Sequence, residues 1–140
     1  MGEFEDAAAE ALGEIQNTQL SAVTFLSDHV ELQFRIPSAN EDDGEDDYEG
    51  PLLTACTPPQ VHIGNTPFCW GDKGYRDNLC ERIGQVVQKA FFAGSEEDKP
   101  IHIILGDGAK LFIPTNPKYY RADQTEAVWL WLRIRAFIWN

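Results

Sequence analysis

Nowhere does the chain carry the roughly eighteen consecutive apolar residues that a membrane-spanning helix needs, so no such helix is expected. Basic residues are scarce in one half. Positions 1–50 hold 14 acids and a single base, Arg35, net −13, whereas positions 51–140 hold 9 acids and 10 bases, net +1. Binding to a phosphate backbone or an anionic bilayer depends on clustered Lys and Arg, so neither nucleic acid nor a membrane surface is an expected partner. The opening residues Met1-Gly2-Glu3-Phe4-Glu5-Asp6 place acids where an export signal needs a basic start, and a soluble, cytoplasmic protein is expected. Cysteine is sparse too. Cys56, Cys69 and Cys80 are an odd number, too few for a disulfide scaffold, and read as reduced thiols. With no Cys-x-x-Cys or His-x-x-x-His and with His29, His62 and His102 scattered, neither a metal nor a cofactor is implied.

What is present is a composition for folding: 43% hydrophobic and 11% aromatic residues in 140, the size of one domain. The acidity is densest in Glu41-Asp42-Asp43-Gly44-Glu45-Asp46-Asp47-Tyr48-Glu49. Like charges repel and bury little, so residues 38–50 are expected to form a flexible loop between strands, with Asp42, Asp43, Asp46 and Asp47 as candidate contacts for a basic protein. A calcium loop fails: aligning Gly44 with the invariant glycine of an EF-hand puts Ala39 first and Gly50 last, where acids are required.

The Ala- and Glu-rich start predicts an N-terminal helical extension within residues 1–19, with Phe4, Ala8, Leu12 and Ile15 as a narrow apolar stripe. Val23 and Phe25, then Val30, Leu32, Phe34 and Ile36, alternate with polar residues and predict a hairpin with one buried face. Leu52–Cys56 and Gln60–Ile63 read as short strands broken at Pro58-Pro59, and Gly64-Asn65-Thr66-Pro67 as a turn. Tyr75, Leu79, Ile83, Val86, Val87, Ala90 and Phe91 fall three or four apart and predict a helix from Tyr75 to Ala93, capped by Gly94. Ile101–Leu105 and Ala109–Ile113 flank Gly106-Asp107-Gly108 and predict a second hairpin. The C-terminal segment stays open between helix, for the capping pair Asp123 and Glu126, and strand, for the alternation at Leu132–Ala136. Together these elements predict a single α+β domain, an antiparallel or mixed sheet of about six strands with one main helix on one face.

A nucleophile made of Cys80 and His102 is conceivable, but Cys80 shares the expected helix with Leu79 and Ile83, which points to core packing. Asp72 in Gly71-Asp72-Lys73-Gly74 is expected to cap that helix rather than admit phosphate, and Arg76 and Asp77 to form a local ion pair. Four large aromatics near the C-terminus, Trp129, Trp131, Phe137 and Trp139, exceed what one small sheet can cover, which predicts an exposed patch suited to a protein partner or a homodimer.

At Gly74-Tyr75-Arg76-Asp77-Asn78-Leu79-Cys80 the sequence resembles an uncharacterised family of small bacterial proteins. The resemblance extends to the strand pair Val23–Phe25 and His29–Phe34, to Leu53-Thr54-Ala55 and to Gly106-Asp107-Gly108-Ala109, covering roughly residues 20 to 114. It implies no assigned activity, and the acidic run and the Trp-rich tail depart from it. The reading that follows is a non-catalytic acidic domain that binds another protein, as an immunity or inhibitor protein binds a basic toxin. The alternative is a small enzyme or ligand-binding domain whose pocket between helix and sheet draws on Cys80, His102, Arg76 or Asp77. A DNA mimic is a third possibility, and it requires the acids to line an ordered surface.

Overall fold

In the structure, a computed structural model, residues 2–27, 29–36, 49–95, 98–120, 124, 126–132 and 136–139 are described. Helix α1 (Gly2–Gly13) leads into strands β1 (Gln19–Phe25), β2 (Val30–Arg35), β3 (Glu49–Ala55), β4 (Gln60–Ile63) and β5 (Thr66–Phe68). Helix α2 (Tyr75–Cys80), β6 (Val87–Phe92), β7 (Ile101–Leu105), β8 (Lys110–Ile113), a 3₁₀ turn at Pro117–Tyr119, β9 (Val128–Trp131) and β10 (Ala136–Trp139) follow. The strands form two antiparallel five-stranded sheets, β1-β2-β3-β9-β10 (sheet A) and β5-β4-β8-β7-β6 (sheet B). The α+β class holds in the coarse sense of sheet with two short helices. The expected six strands and single long helix do not.

The long helix is replaced because Gly84, at φ 100°, ends the helical turn after α2, and Val86-Val87 then enter a strand. The helical spacing has a different origin. A bulge between Val87 and Lys89 adds one residue to β6, so its two core residues, Val87 and Ala90, stand three apart instead of two. Ile83 and Val86, assigned by the spacing to the apolar face, are 41% and 42% exposed.

Both expected hairpins form. Phe25 pairs with Val30 in the first, and Ile101 with Ile113 in the second. The second closes through Gly108 N–H to the Leu105 carbonyl (3.0 Å), with Gly108 at φ 88° and the Asp107 carboxylate accepting Ala109 N–H (2.9 Å). This is the three-residue loop that needs glycine at its last position. Gly64 (φ 60°) and Asn65 make a further two-residue turn, and Thr66–Phe68 beyond it is a strand rather than the expected turn. The C-terminal segment resolves as two strands.

The inner faces of both sheets share one core with α1 and α2. Ala8, Ala11, Leu12 and Ile15 are fully buried, so α1 is part of that core, while Phe4 is half-exposed. The sheets cross. The start of β6 is bonded to the start of β1, Val87 N–H to the Thr18 carbonyl (2.7 Å) and Leu20 N–H to the Gln85 carbonyl (2.9 Å). Its end reaches β10, where Phe92 meets Trp139 edge-on at 6.2 Å. Six strand residues span about 20 Å, the same as the four inter-strand spacings from β1 to β10, so β6 runs across sheet A as in an orthogonal sandwich.

Candidate functional site

Alternation in β9 turns Val128 and Leu130 into the core and Trp129 and Trp131 outward. The two indoles stack at 5.1 Å with their planes 16° apart. Register places Leu52 and Ala136 on either side of Trp131, and Thr54 and Ile138 on either side of Trp129, so an apolar patch crosses β3, β9 and β10. Trp131 is 46% exposed, the most exposed of the large apolar side chains described. Carboxylates border the patch: Glu126 accepts the Trp129 indole N–H at 3.3 Å, and Glu31 stands opposite Thr54.

The acidic run joins the sheet at the same end. Arg35 of β2 pairs with Glu49 of β3, three residues before Leu52. A bulge between Gln33 and Arg35 marks the entry, and Gln33 Nε2 donates to the Phe34 and Gly50 carbonyls (3.0 and 3.1 Å). A Cβ on Gly50 would lie 2.7 Å from the Phe34 oxygen, so only glycine fits there. Asp42, Asp43, Asp46 and Asp47 lie outside the described residues. Trp139 is not part of the patch. It faces inward from β10, is 1% exposed and belongs to the core.

A concavity of about 260 Å³ opens at the start of α2, lined by Trp70, Gly71, Asp72, Gly74, Tyr75, Arg76 and Asp77. Instead of the expected ion pair with Asp77, the Arg76 guanidinium lies over two rings, 5.2 Å from the centre of Phe25 and 5.4 Å from that of Trp70. Cation–π contact of this kind holds an arginine without a carboxylate. Asp72 does not cap the helix either. The N-cap is Gly74 (φ 87°), and the Asp72 carboxylate accepts Cys69 N–H at 2.8 Å to close the preceding turn. Tyr75 donates its hydroxyl to the Pro59 carbonyl (2.5 Å), and burial foremost, then the neighbouring Cys69, pushes its ionisation far above the ordinary tyrosine range.

Cys80, expected in the core, is exposed on α2. His102 belongs to the outer face of sheet B. There it stacks on Phe91 (4.7 Å, 8°), meets Phe112 edge-on (4.7 Å), and bonds the Ala93 carbonyl through Nε2 at 2.7 Å. Phe112 also touches His62 at 4.3 Å, completing a ring row over four strands. Of the four residues weighed for a catalytic pocket, Arg76 and Asp77 line this cavity, and Cys80 and His102 are not among its lining residues. Trp70 and the His62–Phe112–His102–Phe91 row went unnoticed in the sequence. Each row member alternates outward on its own strand, but nothing local shows that the four strands are neighbours.

No protein-family model matches the chain, and neither a curated protein nor a solved structure does.

Proposed function

We propose that the chain is a non-catalytic, acidic protein-interaction domain that engages a basic protein, in the manner of an immunity or inhibitor protein. The observation that carries this reading is the stacked, outward-facing Trp129–Trp131 pair beside the root of the acidic run. Aromatic anchors supply binding energy at the centre of an interface, and surrounding charge of one sign speeds the encounter with a complementary partner. Trp131 is the central anchor, Leu52 and Ile138 flank the indoles, and Glu31, Glu126 and the acidic run set the sign of the field.

The test compares native-host proteins retained at low salt by the wild type and by Trp131→Ala. A basic partner should be lost from the variant, its affinity weakened by at least about 2 kcal/mol, roughly thirtyfold. A wild type that retains nothing, or a variant that retains the same proteins, overturns the reading.

A second reading, a small-ligand domain, is favoured by one observation, the Arg76 and Asp77 side chains at one cavity lined by Trp70 and Tyr75. At about 260 Å³ it would admit a small polar molecule only. A fragment screen should shift the Trp70 indole resonance in the wild type but not in Arg76→Ala, and a silent Trp70 removes this reading.

A further inference from the structure

Three rings at the start of α2 hold one another edge-on. Tyr75 meets Phe25 at 6.5 Å and Trp70 at 6.0 Å, and its own ring is fixed by the hydroxyl bonded to the Pro59 carbonyl. The Arg76 guanidinium rests on the two outer rings, 5.2 Å from the centre of Phe25 and 5.4 Å from that of Trp70. A contact of this kind draws on the positive charge and spends no N–H donor on an oxygen. The cation is therefore placed in advance and keeps the fork with which arginine takes a carboxylate. Such placement lowers the ordering cost of binding.

The walls of this cavity carry both signs of charge. Besides Arg76 they hold Asp72, whose carboxylate is committed to the Cys69 N–H, and Asp77, which is exposed. Consecutive residues of a helix do not face each other, so Arg76 and Asp77 present opposite charges to separate parts of the cavity. A simple anion would meet two carboxylates there, and a simple cation would meet the guanidinium. A molecule with both charges finds a complement at each end. We infer that the cavity takes a small zwitterionic amino acid, its carboxylate on Arg76, its ammonium on Asp77 and its carbon skeleton against the Trp70 ring. This rests on the second reading above, a small-ligand domain, and names its ligand class. Volume sets the size: about 260 Å³ lies below the roughly 300–1,000 Å³ of pockets for drug-sized ligands, which leaves room for a short side chain.

The test titrates the full chain with L-alanine and with 4-aminobutanoate, two zwitterions that differ in the spacing of their charges. The Trp70 indole N–H is followed by NMR, with Trp70→Phe to assign it. N-acetylalanine, which keeps only the carboxylate, and alaninamide, which keeps only the ammonium, are the controls. At least one zwitterion should shift the resonance saturably, and both controls should bind at least about fivefold more weakly than it does. Arg76→Gln and Asp77→Asn should each weaken that zwitterion by at least about fivefold. Asp77→Asn, at an exposed position, carries the comparison if loss of the ring contacts unfolds Arg76→Gln. Equal binding by either control, or unchanged affinity in Asp77→Asn, overturns the zwitterion and leaves the small-ligand reading standing. A Trp70 resonance that answers other fragments but neither zwitterion does the same. A Trp70 silent to all of them removes the inference and the reading together.

Discussion

The two sheets turn different surfaces outward. On sheet B the rings complete one another across four strands: His62 on Phe112, Phe112 on His102, His102 on Phe91, with His62 Nε2 near the Gln60 side-chain oxygen (3.3 Å) and His102 Nε2 on a carbonyl. On sheet A the stack is only two rings deep and ends in an indole that is 46% exposed, next to acids. An aromatic stripe therefore does not by itself mark an interface. What distinguishes the two faces is whether the rings have used up their neighbours within the fold.

Three measurements press on that comparison. The largest effect belongs to the inner faces, which the two sheets share. Leu130→Ala in sheet A and Leu111→Ala in sheet B should each cost about 2–5 kcal/mol in urea unfolding, with a single transition by fluorescence and circular dichroism. Two separated transitions would show that the sheets do not share a core. On the outer faces the costs should diverge. Phe112→Ala removes two ring contacts, each worth about 0.5–1.5 kcal/mol, whereas Trp131→Ala should cost less than about 1 kcal/mol of folding stability while weakening partner binding. Equal folding costs would erase the distinction between a structural face and the proposed binding one.

The smallest effect is a pH dependence specific to sheet B. Partial burial foremost, and then the charge of Lys110, hold the His62 imidazole below its ordinary value of 6.5. The unfolded chain therefore binds the proton more tightly than the native one. His62 contributes stability that is present above pH 6.5 and declines as pH falls through 6.5 toward the lowered native value. His62→Gln should flatten that part of the stability profile, and an unchanged slope would locate the pH sensitivity elsewhere.

Hairpins were the most legible part of the sequence because both of their causes are local. The alternation of Ile101–Leu105 and the glycine at 108 sit within one short segment, and the β1–β2 pair is likewise self-contained. The stretch from Tyr75 to Ala93 misled for a physical reason. A bulge changes the spacing of buried residues from two to three, so β6 imitates a helix, and only its pairing with β7 settles the matter. At the candidate site, surplus aromatics near the C-terminus correctly pointed outward for Trp129 and Trp131. Trp139 turned inward because it pairs with Val128, a core residue of β9, and that register is not written in the pattern of either strand alone. The partners of Arg76 were illegible as well, since Phe25 lies on a strand far back in the chain and Trp70 in a loop without periodicity.

The crossing of β6 over sheet A has a mechanical meaning. Like a batten fixed across planks, it is fastened near both margins, by backbone bonds beside β1 and by a ring contact at β10. Prying the marginal strands apart requires one fastening to give way first, and the ring contact, lacking hydrogen bonds, is the weaker. Native fluctuations should accordingly start at the β10 side and leave the β1 side quiet.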